Sequence, residues 1–293
     1  MIRVVSWNTN FRRKPWRELL RMDADVALLQ EACAPPPDVV GQVGLGRNEH
    51  WDSRFWNSKW YESRPKNRLK RLFNRWTRIV KLSDRVEVEW FKQVSPIGMP
   101  EPDEFPVSGI GTVAAARVKP QDAPPFTVVS MYARWMAPHP SAKSRWRVGY
   151  PDSSAHRIIS DLSVFIGDTD PSTHRILAAG DLNLVRQALG NERQSFQRRT
   201  GTVWQRMDAI GLEYMGPQYP AGRRADPIPS HLPQDTKDVP TFCGNKPPEA
   251  AQKQLDHVFA SNGFHEHVSA RAMNAVDEWG TSDHCRLLIE VRG

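Results

Sequence analysis

The run AAGDLNLV at 178–185 sets a carboxylate, Asp181, two residues before an amide, Asn183, directly after the apolar stretch Ile176 to Ala179. Either group is expensive to bury without partners, so a strand that ends in this way delivers its last residues to something polar. The arrangement recurs along the chain. IRVVSWNTN runs into Asn8, DVALLQEA into Glu31, QLDHVFAS carries Asp256 at its start, and SDHCRLLIEV sets Asp283 and His284 ahead of an apolar run. Alone, an Asp at a strand end reads as a turn or cap and a His in a polar turn as an exposed side chain. Recurring beside so many apolar runs, these residues would build one concave cluster of oxygen ligands if the strands converge.

Such a cluster, without cysteines, suits a hard cation, Mg²⁺ with Mn²⁺ as a substitute, whose shell is completed by water and phosphate oxygens. Zinc fits less well, because His284 is almost the only histidine in these motifs and no HExxH pattern occurs. Neither a GxxxxGK[ST] loop nor a GxSxG elbow is present. What remains is metal-assisted phosphoester hydrolysis: a cation neutralises the phosphate, a carboxylate prepares the water, and cationic or hydrogen-bonding groups hold the transition state.

The elements that must position these residues are strands and helices in irregular alternation, which argues against a regular βαβ barrel. Strands are expected at the N-terminus, at DVALLQEA, at GIGTVAAARV and PFTVVSMYARW, then at RILAAGD, EYMGP, LDHVFAS and the C-terminus. Helices are expected at PWRELLRMDA, at SSAHRIISDLSVFI and from Asn191 to Ile210. Between about 44 and 100 tryptophans crowd among basic residues, and this stretch reads as an insertion. Within it PKNRLKRLFNRWTRIVKL places Leu69, Leu72, Phe73, Trp76, Ile79 and Val80 on one helical face. Its cations include Arg68, Lys70, Arg71, Arg75 and Arg78, and it contains no acid. Three readings fit such a helix: a merely solvated basic face, a clamp on a phosphate backbone, or a helix on an anionic membrane.

The chain has 293 residues, 39% hydrophobic and 25% charged, the profile of a globular protein with a sizeable core. Its net charge of +7 points to a polyanionic partner, nucleic acid or an anionic surface. Cys33, Cys243 and Cys285 are odd in number and widely spaced, which suits a reducing cytoplasm. Arg12, Arg13 and Lys14 imitate the basic start of an export signal, but Pro15, Trp16, Arg17 and Glu18 follow with no apolar stretch. No segment reaches the length of a membrane span, and a cytoplasmic location is the expectation.

VVSWNTN, DVALLQEA, AAGDLNL, QLDHVFAS and SDHCRLLIEV occur in the order and at roughly the spacing found in the endonuclease/exonuclease/phosphatase superfamily. The chain resembles that group, which includes exonuclease III-like abasic-site endonucleases, pancreatic deoxyribonuclease, sphingomyelinases and inositol polyphosphate 5-phosphatases. The resemblance spans Asn8 to His284 apart from the Trp-rich stretch. It implies one α/β domain over 1–293, a four-layered sandwich of two packed mixed β-sheets flanked by helices, with the site at one end. It further implies Glu31 as the principal Mg²⁺ ligand, with Asn8 beside it and Asp283 as a further ligand. Asp181 would deprotonate the attacking water, Asn183 would position that water or the phosphate, and His284, oriented by Asp256, would contact the scissile phosphate. Tyr132 matches a phosphate-contacting Tyr of the nuclease branch, although Trp135 stands where those enzymes usually have Asn, a departure from the abasic-site repair pattern. The implied activity is a nuclease acting on DNA or RNA; a phosphoesterase for phospholipids, inositol phosphates or other small esters, and a catalytically silent binding module, are the alternatives.

Overall fold

Strands buried on both faces read as near-continuous apolar runs, and the computed structural model contains many. It describes residues 1–56, 76–109, 111–134, 151–167, 169–186, 194–230 and 232–293. The first sheet has the order β12-β13-β1-β2-β3, formed by β1 (Ile2–Asn8), β2 (Val26–Ala32), β3 (Trp76–Lys81), β12 (Val268–Met273) and β13 (Arg286–Val291). The second has the order β10-β11-β9-β8-β7-β4, formed by β4 (Val86–Trp90), β7 (Val113–Pro120), β8 (Phe126–Tyr132), β9 (Ile176–Asp181), β10 (Leu212–Gly216) and β11 (Asp256–Ser261). Two short strands, β5 (Lys92–Val94) and β6 (Glu104–Pro106), pair with each other.

Both sheets are mixed and share a plan. In each, one parallel pair is flanked by antiparallel neighbours: β1 with β2 in the first sheet, β8 with β9 in the second. A parallel pair needs a crossover. Helix α1 (Lys14–Leu19) lies in the first and α3 (Pro151–Ile166) in the second; α2 (Pro37–Val40) and α4 (Gln194–Ala209) complete the longer helical elements described.

Alternation of side chains along each strand sorts the buried residues into three layers. Val4, Val26, Leu28 and Ile79 of the first sheet meet Ala114, Val128, Leu177 and Val258 of the second in the central core. Their sequence neighbours point outward: Val5, Trp7, Ala27, Leu29 and Val80 pack against Trp16 and Leu19 of α1. On the far side Val129, Met131 and Ala178 pack against Ile158, Ile159 and Leu162 of α3 and Val203 and Met207 of α4. Helix, sheet, sheet, helix is the four-layered sandwich.

The stretch 44–100 is not an insertion appended to this frame: it supplies β3 to the edge of the first sheet and β4 to the edge of the second. The helical reading of 65–82 fails at its C-terminal end for the same reason. Residues 76–81 form β3, antiparallel to β2; residues 57–75, with Arg68, Lys70, Arg71 and Arg75, lie outside the described residues. Ile79 is buried between the sheets and Val80 under the outer layer, so consecutive apolar residues here serve two faces of a strand. Among the described residues no helix is long and apolar enough to cross a membrane, and the three cysteines are free.

Candidate active site

The inward-facing rows of the sandwich turn polar at one end. Along β1 the inner positions read Val4, Ser6, Asn8; along β2, Leu28, Gln30; along β8, Val128, Ser130, Tyr132; along β9, Leu177, Ala179, Asp181. The change begins at a layer where Gln30 Nε2 lies 3.1 Å from Ser130 Oγ and 3.4 Å from Ser6 Oγ, joining the sheets. Beyond it, register places Tyr132, Asp181 and Asp256 side by side on three neighbouring strands. Gly180 makes this register attainable: a Cβ there would stand 1.9 Å from the Met131 carbonyl oxygen of β8.

Asp181 is 1% exposed and heavily partnered. Its Oδ2 accepts from Asn8 Nδ2 at 2.9 Å and Asn183 Nδ2 at 3.0 Å, and its Oδ1 accepts from the Asn183 backbone N–H at 2.7 Å. The strand ends at Asp181, and Asn183 has a left-handed φ of 51°. Asn183 therefore returns through a tight turn rather than by continuing the strand, and its Nδ2 also donates to the Ala133 carbonyl at 3.0 Å.

Glu31 reaches the site against the pleat. Gln30 points inward, so alternation alone would send Glu31 out; instead the β2–β3 register shifts between Leu29 and Ala32, and Glu31 takes φ 47°. Bulges commonly re-aim side chains at active sites, and here the result is a Tyr132 hydroxyl donating to Glu31 Oε1 at 2.6 Å across the two sheets. Asn10 and Phe11, just past β1, share the left-handed conformation. These four are the positive-φ non-glycine residues among those described, and all lie at this end, where backbone strain of roughly 1–3 kcal/mol per residue is typically held for function.

Across from Asp181, the His284 Nδ1 donates to Asp256 Oδ2 at 2.8 Å, and its Nε2 stands 3.9 Å from Asp181 Oδ2. Burial opposes charge on this imidazole, but Asp256, then Asp181, then Asp283 outweigh it and raise its pKa to about 10. Burial likewise raises the Asp181 carboxyl, against the attraction of His284. Asp256 itself is fixed through Thr241, whose Oγ1 accepts from the backbone N–H groups of Leu255 and Asp256. The Phe242 ring lies 4.8 Å from the His284 ring, and Trp7 Nε1 donates to the His284 carbonyl at 2.9 Å. Ser282 Oγ donates to the Asn8 carbonyl at 2.7 Å, tying the segment of Asp283 to the end of β1.

The structure thus brings together Asn8, Glu31, Tyr132, Asp181, Asn183, Asp256 and His284, with Asp283 half-buried at the rim. Arg78 lies on β3 opposite Leu29, where it stacks 4.0 Å over the Trp51 ring and burial lowers its pKa to about 10. It is a packed strand residue, not a member of a solvent-facing basic helix. Trp135 lies outside the described residues. Thr241, Trp7, Ser282 and Gln30 escape the sequence reading. Trp7 and Ser282 do adjoin Asn8 and Asp283, but Thr241 carries no local signal at all.

Residues 5–284 match the model of the Endonuclease/Exonuclease/phosphatase family. The chain belongs to this family. Its members are hydrolases, and the protein is accordingly a phosphoric ester hydrolase. Among solved structures it is similar to the endonuclease domain of TRAS1, a telomere-specific non-LTR retrotransposon, at 14% identity and TM-score 0.59 over 100% of this chain and 99% of that one. It is similar to the AP endonuclease LMAP from Leishmania major at 16% identity and TM-score 0.58, over 100% of this chain and 88% of that one. A 3'-5' exonuclease from Neisseria meningitidis gives 14% identity and TM-score 0.54 with both chains fully covered. These likenesses establish the shared sandwich fold. No curated protein matches the chain.

Proposed function

We propose that the protein is a Mg²⁺-dependent nuclease that hydrolyses phosphodiester bonds in DNA or RNA, with residues 1–293 acting as one catalytic domain. The observation that carries this reading is the buried set Asp181, His284 and Asp256 facing the Glu31–Tyr132 pair across the mouth of the sandwich.

The donor chemistry fits a hard cation. Asp181, Asp256 and His284 can place ligand atoms within 4.8 Å of one another, but an imidazole protonated between two carboxylates has no lone pair for a metal. The carboxylates of Glu31 and Asp283 and the Oδ1 of Asn8 are oxygen donors of the type Mg²⁺ takes, and these three residues would hold it. When bound, the cation supplies charge neutralisation to the phosphate and to the oxygen that leaves.

The chain's own residues do the rest. Asp181, brought by burial toward the neutral range, suits a general base acting near neutral pH. Asn8 and Asn183 hold its oxygens in one orientation, so the proton of an incoming water is taken at a fixed atom. His284, kept cationic by Asp256, supplies a buried donor to the phosphate oxygens as negative charge grows on them. Tyr132 orients Glu31 and offers its hydroxyl at the same mouth. The family, the nucleases among the similar folds and the positive net charge support nucleic acid as substrate.

Incubating the purified protein with plasmid, single-stranded DNA and RNA, with Mg²⁺ or with EDTA, tests the reading. Metal-dependent cleavage of at least one polymer is the expected result, and none at low salt would overturn it.

A further inference from the structure

Arg12, Arg13 and Lys14 find no place in the chemistry above, and the fold explains where they point. They follow β1 just beyond Asn8, and Arg12 Nη1 donates to the Thr281 carbonyl at 2.6 Å, bridging to the segment that carries Asp283 and His284. Lys246 approaches from a third segment, which begins at Thr241 and Phe242, the residues that hold Asp256 and pack on His284. The three segments line an open groove of about 630 Å³ whose lining, among the described residues, includes these four cations and one carboxylate, Asp283. Arg13, Lys14 and Lys246 are solvent-exposed.

We propose that this groove seats the phosphate backbone of the nucleic-acid strand on one flank of the bond to be cut. The inference rests on the nuclease reading and adds the track by which the polymer enters. An open groove lined by cations from two segments suits a chain of phosphates better than the flat face of a membrane. Trp279 lies in the lining but is only 1% exposed, so it presents no ring face to a base. The groove therefore engages the backbone, and binding through it is tolerant of base sequence.

Each phosphate neutralised by a cation contributes about 0.9 to the slope of log K against log salt on duplex DNA, and about 0.7 on single strands. The test is fluorescence anisotropy with a labelled oligonucleotide, in EDTA, across about 50 to about 200 mM KCl. The variant Arg13→Ala/Lys14→Ala/Lys246→Ala is expected to lower the slope by about 2 to 3 and to weaken low-salt binding roughly tenfold or more. A control, Arg117→Ala/Lys119→Ala, removes cations from the end of β7 remote from the site and is expected to keep the wild-type slope. If the triple variant does not fold, Arg13→Ala and Lys246→Ala singly are each expected to lower the slope by somewhat less than about 1.

An unchanged slope in folded groove variants overturns the inference, as does groove-dependent binding to phosphatidylserine vesicles with no binding to the oligonucleotide. Wild-type cleavage in Mg²⁺ with an unchanged slope would refute the groove alone. Groove-dependent binding without cleavage of any polymer would support the groove and refute the nuclease reading.

Discussion

Replacing Asp256 by Asn removes one negative charge from beside His284 while keeping an oxygen that can accept from Nδ1. The separation is 2.8 Å. Two unit charges at that distance attract by about 332/(20 × 2.8), roughly 6 kcal/mol, at an effective dielectric constant of about 20. At about 1.4 kcal/mol per pKa unit this amounts to roughly 4 units; burial of the imidazole opposes it, and Asp181 and Asp283 add to it, for a net rise from 6.5 to about 10. The amide dipole restores part of the loss, so the His284 pKa in Asp256→Asn should fall by about 2 units or more. A cationic His284 is active in this account, hence activity declines as pH rises through its pKa. The decline of kcat/KM should move from near pH 10 in the wild type to roughly pH 8 or below in the variant. The stability sign is the same: a His raised in the folded state contributes fully below its unfolded value and loses that contribution as pH rises through the folded one. Profiles of kcat/KM on an oligonucleotide at fixed Mg²⁺, with urea unfolding in parallel, read both. An alkaline limb that stays in place would refute the assignment of His284 as a charge held by Asp256.

The other expectations concern single contacts. Tyr132→Phe removes the hydroxyl that donates to Glu31 at 2.6 Å; a hydrogen bond to a charged group contributes about 1.5–3 kcal/mol, so kcat/KM should fall by roughly 10- to 100-fold and more Mg²⁺ should be needed for half-maximal rate. A titration of rate against Mg²⁺ that matches the wild type would count against that contact. Asp161, on α3, accepts from the Ser108 N–H, and burial raises its pKa to about 6. A carboxylate raised in this way favours the folded state only while protonated, so its contribution is lost as pH rises from about 4 through about 6. Asp161→Asn keeps an acceptor without the charge and should stabilise the protein at pH 7.5 by roughly 1–3 kcal/mol, with little gain near pH 4. Denaturant melts at both pH values decide this, and destabilisation at pH 7.5 would contradict it.

Strands β1, β2 and β9 were legible because each is buried on both faces and runs into a polar residue. Apolar runs followed by Asn8, Glu31 and Asp181 mark where the central core opens to solvent. The same double burial hid β3. With Ile79 facing one layer and Val80 another, the spacing of Trp76, Ile79 and Val80 satisfies a helical period as well as a strand, and the surrounding cations completed the resemblance to an amphipathic helix. Side-chain aim was less legible than residue identity. The bulge that turns Glu31 inward and the left-handed turn at Asn183 depend on pairing partners distant in sequence. The groove was invisible for a related reason: Arg12 to Lys14 and Lys246 are separated by most of the chain, and only the pairing of β1 with β13 and the bond from the Cys243 N–H to the Asp283 carbonyl bring them together.

The role proposed for Asp181, taking the proton from the attacking water, is read by single-turnover cleavage with Asp181→Asn. The substitution is nearly isosteric and retains an oxygen for the Asn183 backbone N–H, so oligonucleotide binding should stay within about twofold of wild type while the cleavage rate at saturating Mg²⁺ falls by about 10²- to 10⁴-fold. A folded Asp181→Asn enzyme that cleaves within about tenfold of the wild-type rate would show that another group is the base.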